Sequence, residues 1–369
     1  MIAGLASLFG SVLWWAAGGR QTPGEHLDTI AYLKGSRAAI PPPPRALRPP
    51  ATPPKTLTVM TWNIAYARGT NPDNDANDVR PRAVIEGRLA EMGALARARG
   101  VDVWLIQEID FGARRSRDID ELSALAKASG LPFMARALSW RARWVPHPLW
   151  PPQKQYGKMR SGGAVLSRYP IVDNRVLLYE KPKENGAIYN AFYLFRYSQF
   201  VTLALGGGRK LVVVNDHLEA FNKKNRVDQA RLLVKRVKTW PKPRPLMLLG
   251  GDLNTTPPEA TKKSGFSDSP EDDYRDDETV AALRAMPGFA ELVTAEEYAK
   301  NERAFFTFPT TARTRRLDYI FYDTRMKLRR REFLRPGKFS DHCPVLAVFE
   351  TTPSTTPSTA KGSSSGRQP

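Results

Sequence analysis

Apolar positions recur along the chain with two different periods. Residues 57–64, Leu-Thr-Val-Met-Thr-Trp-Asn-Ile, are rich in β-branched and aromatic side chains and predict a strand. Over residues 82–99, Val84, Ile85, Leu89, Met92, Leu95 and Ala96 fall at helical spacing, and Gly100 ends the helix. Residues 101–106, Val-Asp-Val-Trp-Leu-Ile, follow as a buried strand, and residues 118–129 predict a second helix closed by Gly130. Further strands are expected near 163–167, 191–205, 211–214, 245–249, 317–322, 327–334 and 345–349, with a helix over 226–240. Consecutive strands with interspersed helices predict a two-sheet α/β sandwich, not a simple parallel βαβ series. No internal repeat has a fixed period.

The two ends read differently. Residues 2–17 are apolar, with Leu5, Leu8, Phe9, Val12, Leu13, Trp14 and Trp15, and small residues follow at 16–19. The stretch is shorter than the roughly 20 residues that span a bilayer, and no Lys or Arg precedes Arg20. Residues 1–19 are therefore read as an export or anchor-like segment. The expected location is extracytoplasmic: secreted, periplasmic or membrane-tethered through the N-terminus. Residues 40–55, IPPPPRALRPPATPPK, favour extended polyproline backbone, so 20–55 is assigned as linker. Residues 351–369 are rich in Ser, Thr and Pro and are expected to be disordered. One domain, 56–350, remains.

Composition narrows the class. The 369 residues are 41% hydrophobic, which excludes a wholly disordered chain. A single cysteine, Cys343, excludes internal disulfides and any zinc site built on several thiolates. The net charge of +19 belongs mainly to the domain, because only seven of the 56 Lys and Arg residues lie outside 55–350. Such a surface favours acidic partners: nucleic acid, phosphorylated metabolites or an anionic membrane. Nothing in the sequence points to an obligate protein partner.

Polar residues stand repeatedly at the ends of apolar strands. They are Asn63, Gln107 and Glu108, Asn215-Asp216-His217, Asp252 and Asn254, Asp318, and Asp341-His342. Any one would ordinarily be a turn residue, since a lone buried carboxylate or imidazole is costly. Six together describe strand ends converging on a polar crevice. The motifs TWNI (61–64), QE (107–108), SGGAVLSRYPI (161–171), NDHLEAF (215–221), GDLN (251–254), LDYIF (317–321) and SDH (340–342), in this order, resemble the endonuclease/exonuclease/phosphatase superfamily. The resemblance spans nearly all of 58–349 and implies a four-layered α/β sandwich of two mixed, mainly antiparallel sheets flanked by helices.

It also implies a metal-dependent phosphoester hydrolase, most simply a magnesium-dependent phosphodiesterase, with manganese as an alternative ion. Magnesium prefers oxygen ligands and keeps several waters, so one or two carboxylates suffice. By resemblance Glu108 is the main metal ligand, with Asn63 and Asp341 beside it. Asp252 positions or deprotonates water, and Asn254 binds phosphate. His342, oriented by Asp318, stabilises transition-state charge, and His217 donates to a phosphate oxygen or the leaving group. His26 and His147 are read as ordinary surface or packing residues.

The substrate is less constrained, because fold does not name it. Asn215-Asp216-His217-Leu218 resembles the secreted-nuclease and sphingomyelinase branches, although those usually carry threonine where Asp216 stands. Arg313, Arg315 and Arg316, leading into the Asp318 strand, are expected to hold a phosphate backbone. They tilt the reading to nucleic acid over a phospholipid or sphingomyelin headgroup. The lipid alternative rests on the apolar N-terminus and on 140–150, where tryptophans alternate with arginines. A non-catalytic binding module on the same scaffold would be expected to have lost a ligand, and none is substituted. The acidic stretch 268–278 is read as a solvated insertion.

Overall fold

Two seven-stranded sheets carry the computed structural model, which describes residues 10–18, 21–33, 48–70 and 80–351. From edge to edge the first sheet runs Gly24–Leu27, Ile171–Leu178, Tyr197–Gly206, Arg209–His217, Leu246–Asp252, Asp318–Asp323 and Phe289–Glu291. The second runs Lys327–Phe333, Val345–Glu350, Thr56–Asn63, Val103–Asp110, Gly157–Ser167, Phe133–Val145 and Ile30–Tyr32. Each sheet has a single parallel pairing, Arg209–His217 with Leu246–Asp252 and Thr56–Asn63 with Val103–Asp110. All other neighbours are antiparallel. A helix links each parallel pair, Lys223–Lys238 in the first sheet and Arg82–Ala98 in the second, as a parallel crossover requires.

Strand alternation builds the layers. Val59, Val103 and Leu105 meet Leu211, Val213, Leu248 and Ile320 in the core between the sheets. Their neighbours Met60, Trp62, Trp104 and Ile106 face outward and pack on Ile85, Leu89 and Met92 of one helix and Leu122 and Leu125 of another. On the opposite side Val212, Val214, Met247 and Leu249 pack on Leu233 and Val237. The result is the four-layered sandwich. Between the sheets, Gln107 Nε2 donates to Asn215 Oδ1 at 2.6 Å, and Asn215 Nδ2 donates to Ile106 O, Ala164 O and Gln199 Oε1.

Several segments depart from the sequence pattern. Gly24–Leu27 and Ile30–Tyr32, inside the stretch assigned to linker, add edge strands to both sheets. They are short and none of their residues is buried, so they leave little hydrophobic periodicity. The expected strand over 191–205 is two elements, because Ala187–Phe192 is helical after Gly186 and the strand begins at Tyr197. The acidic stretch is not simply solvated: Asp268 and Asp272 pair with buried Arg315, and Asp277 with buried Arg226. Expectations for residues 1–9, 34–47 and 352–369 lie outside the described residues.

Candidate active site

The strand registers bring the polar residues together. Asn63 lies opposite Gln107 in one parallel pair, while Asp252 lies opposite His217 in the other and opposite Asp318 across the antiparallel side. Both parallel pairs therefore present their carboxyl ends to the same crevice, the usual place for a ligand in such sheets. A register shift between Ile106 and Ile109 re-aims the chain at Glu108, whose φ is 51°. The turn Ala65-Tyr66-Ala67 opposite is also left-handed. Arg115 braces this corner, pairing with Asp110 through two 3.0 Å contacts and stacking 3.4 Å above the Tyr66 ring.

Asn63 Nδ2 donates to Glu108 Oε1 and to Asp252 Oδ2, both at 3.0 Å, and so ties the two sheets' carboxylates together. His217 Nε2 lies 3.8 Å from each of those oxygens. His342 Nε2 lies 3.6 Å from Asp252 Oδ2, and its Nδ1 is 2.9 Å from Asp318 Oδ2. The imidazole is held further by Phe308, with ring centroids 4.7 Å apart. Trp62 Nε1 donates to the His342 carbonyl at 2.8 Å. Asn254 N donates to Asp252 Oδ1, and its side-chain amide donates to Leu218 O, both at 2.9 Å. Asp341 is engaged by Arg68 at 2.9 Å, at the edge of the group.

The electrostatics separate the two histidines. For His342, burial opposes the charge, but Asp318 and Asp252 outweigh it and raise the imidazole to about 10. For His217, burial and the charges of Arg196 and His342 push its pKa well below the usual value. Arg196 Nη1 donates to His217 Nε2 at 2.7 Å, so that nitrogen is an acceptor and the ring is neutral. Burial pushes the Asp252 carboxyl up to about 6, against the opposing charge of His342.

Glu108 and Asp341 offer carboxylate oxygens, which suit a hard divalent ion, whereas Asn63 turns its Nδ2 toward Glu108 and its Oδ1 accepts from Ala65 N at 3.0 Å. A second group, Asp252, Asp318 and His342, offers one donor each within 4.8 Å of one another. The 2.9 Å contact of His342 Nδ1 with Asp318 has hydrogen-bond geometry and needs a proton there. Asp318 Oδ1 is buried without a hydrogen-bond partner. We therefore read this trio as a proton-holding group and Glu108, one-third exposed toward the crevice, as the open metal position.

The structure removes Arg315 and Arg316 from any groove. Both are buried: Arg315 sits between the Phe266 and Phe308 rings and pairs with Asp268 at 2.7 Å, and Arg316 pairs with Glu291 at 2.7 Å. A guanidinium already paired and out of water has no fork to offer a phosphate backbone. Arg313 is exposed. His26 and His147 are exposed and join no part of the site. Arg196 is the residue that sequence reasoning missed. It is 6% exposed, and its Nε and the Glu219 Oε2 that it faces at 3.8 Å have no hydrogen-bond partner. Tyr193 donates to the other Glu219 oxygen at 2.7 Å. The glycine turn at 206–208 was the available signal, because counting back through the Tyr197–His217 pairing places Arg196 beside the histidine.

This arrangement, charged groups of both sheets around one crevice, is that of a phosphoesterase fold. Residues 60–342 match the Endonuclease/Exonuclease/phosphatase family, and the chain belongs to it. Members of this family are hydrolases acting on phosphoesters and generally depend on a divalent metal. Among solved structures, an endonuclease/exonuclease/phosphatase from Beutenbergia cavernae is 22% identical, with TM-score 0.56, covering 80% of this chain and 72% of that one. TDP2 of D. rerio complexed with a single-strand DNA product is 15% identical, with TM-score 0.51 over 81% of this chain and all of that one. Mannosyl-6-phosphatase of Bacteroides thetaiotaomicron is 16% identical, with TM-score 0.51 over 79% and 99%. At these identities the likeness establishes the fold. No curated protein matches the chain.

Proposed function

We propose that this chain is a magnesium-dependent phosphodiesterase, with manganese able to substitute. The observation that carries the reading is the pairing of His342 with Asp318 at 2.9 Å while its other nitrogen faces Asp252 at 3.6 Å. One imidazole is thus kept charged beside a carboxylate held basic. Glu108 would hold the metal, with Asn63 orienting its carboxylate by the Nδ2 hydrogen bond or joining it through Oδ1 once the amide turns, and Asp341 would join on release from Arg68. The ion, when bound, supplies charge neutralisation on the phosphoryl oxygens.

The chain's own groups do the rest. Asp252, ionised above about 6, orients an attacking water and accepts its proton. His342 donates from Nε2 to a phosphoryl oxygen and offsets the charge that builds there. Arg196 supplies a second donor from the opposite side, in the position where sequence reasoning placed His217. His217 itself, neutral and accepting from Arg196, fixes the guanidinium. Asn254 holds the loop after Asp252 in place.

The substrate class divides by presentation. For nucleic acid, the support narrows to Arg313 and the overall charge. For a phospholipid headgroup diester, support comes from the exposed aromatic ribbon end, where Trp150 is 80% exposed, and from Trp140 and Tyr156 farther down it, which flank the same Arg115 that stacks on Tyr66. The test is a panel of plasmid DNA, RNA, sphingomyelin, inositol phosphates and a bis-aryl phosphodiester, with and without magnesium. Magnesium-dependent turnover of a diester is expected. Undiminished hydrolysis in excess chelator would overturn the metal assignment, and inactivity on every diester would overturn the function.

A further inference from the structure

The described residues carry large apolar side chains in the open, gathered around the end of one β-ribbon. Trp14 and Trp15 are 66% and 53% exposed, Leu149 and Trp150 are 79% and 80%, and Ile188 and Tyr189 are 59% and 57%. Singly such residues need no explanation, but a cluster does. The ribbon of Phe133–Val145 and Gly157–Ser167 holds them together. Arg143 on it stacks on Trp15 at 5.6 Å, and Trp140 Nε1 donates to Phe192 O at 2.8 Å, at the end of the Ile188 helix. Trp144 Nε1 donates to Gln155, which in turn donates to Leu149 O. A cleft of about 530 Å³ between Leu13, Trp14, Trp140 and Tyr193 joins the N-terminal helix to the Ile188 helix.

We propose that this end of the molecule is a docking surface for an anionic phospholipid bilayer. Tryptophan and tyrosine combine an apolar body with a polar tip and settle at headgroup level. Arg141, Lys181 and Lys183 line the cleft with Glu180, and Arg143 and Arg114 stack on Trp15 and Trp144, so the rim is positive. Such a rim adds attraction to negative headgroups. The Leu149-Trp150 tip is braced by Pro148, Pro151 and Pro152, so little chain freedom is lost when it inserts. Leu149 and Ile188 offer no ring face to a nucleic-acid base, which favours lipid over a single strand. The surface also leads to the chemistry: Tyr193, in the cleft wall, donates to Glu219 at 2.7 Å, and Glu219 faces Arg196 beside His217.

The inference rests on surface geometry and stands apart from the catalytic reading, so the experiment keeps the two separate. The full chain is sedimented with vesicles of phosphatidylcholine alone and with about 30% phosphatidylserine, while hydrolysis of a soluble bis-aryl phosphodiester is followed. Binding to the anionic vesicles should exceed binding to the neutral ones at least about tenfold and fall with salt. The pair Trp14→Ser/Trp15→Ser and the pair Leu149→Ser/Trp150→Ser should each lower it by about tenfold or more. Arg143→Glu/Lys183→Glu should erase the preference for the anionic vesicle. Soluble turnover and the circular dichroism spectrum should stay at wild-type values in all three. Wild-type protein that ignores anionic vesicles, or variants that bind them equally well, would overturn the proposal. So would apolar-tip variants that abolish only self-association, or only oligonucleotide binding, without any effect on vesicles. Loss of soluble turnover in the wild type would instead strike the proposed function and leave the vesicle result standing.

Discussion

Replacing Asn215 by leucine removes the amide that keys the two sheets together while keeping a branched side chain with the same number of heavy atoms. Asn215 is fully buried. Its Nδ2 donates at 2.9 Å to Ile106 O, at 3.1 Å to Ala164 O and at 3.2 Å to Gln199 Oε1, and its Oδ1 accepts from Gln107 Nε2 at 2.6 Å. Gln107 keeps a partner in Thr61 Oγ1 at 3.1 Å, so its loss is partial. Each buried group left unpaired costs about 1–3 kcal/mol. Burying a leucine side chain returns about 1.5–3 kcal/mol. The balance is a loss of about 3–5 kcal/mol, read by urea unfolding with linear extrapolation. Activity should fall as well, by more than about tenfold under conditions where the variant is folded, because Glu108 and His217 lie one and two residues beyond this contact on opposite sheets. A loss below about 1 kcal/mol, or an unchanged kcat, would refute the idea that this amide aligns the two halves of the site.

Four further outcomes are expected. Glu108→Gln should fold normally but lose magnesium affinity by calorimetry and at least about a hundredfold in kcat; a fully active variant would remove Glu108 from the metal site. Asp318→Asn should cut kcat by about 10²–10⁴ with KM little changed, because His342 loses the group that orients and charges it; a wild-type rate would refute that role. Arg315→Ala should cost about 2–4 kcal/mol of stability by removing the cation of Asp268 and leaving Asp272 only its Tyr274 hydrogen bond, yet leave the salt dependence of DNA binding unaltered; a flatter salt slope would return this residue to the nucleic-acid groove. Burial pushes Asp216 up to about 7 against the opposing Ser198 hydrogen bond, whereas an unfolded carboxyl titrates near 3.9. The folded chain holds that proton longer, so this contribution is full below about pH 4, fades up to about pH 7 and is flat above. Asp216→Asn should remove the decline in thermal unfolding, and a variant that tracks the wild type through that window would contradict the burial argument.

The strand ends were legible in the sequence because apolar runs stop abruptly at Asn63, Gln107, Asn215 and Asp252, and register then aligns them. The direction of each side chain was not. Gln107 and Glu108 read as one motif, yet Gln107 bonds across to the other sheet while the register shift turns Glu108 into the crevice. The charge of Arg315 and Arg316 suggested exposure, and their partners Asp268 and Glu291 lie 47 and 25 residues away, beyond any local pattern. The same distance blindness made the acidic stretch look solvated. Arg196 sits in three residues of coil with no periodicity of their own, so its place is fixed only once the glycine-turn hairpin is in register.

The pairing of Val345–Glu350 with Thr56–Asn63 has a consequence for how the molecule comes into being. Trp62 receives its partner, the His342 carbonyl, 280 residues later in the chain. During synthesis, Asn63 and Glu108 emerge early, yet the strand that pairs with Thr56–Asn63, and His342 just ahead of it, are among the last described residues to leave the ribosome. Contacts of such long range are slow to form, and the early half must wait with an open strand edge. A nascent or prematurely ended chain therefore holds Glu108, His217 and Asp252 without the His342 that pairs with Asp318. Under the proposed function, the His342–Asp318 pair that serves the reaction forms only once the closing strand has docked.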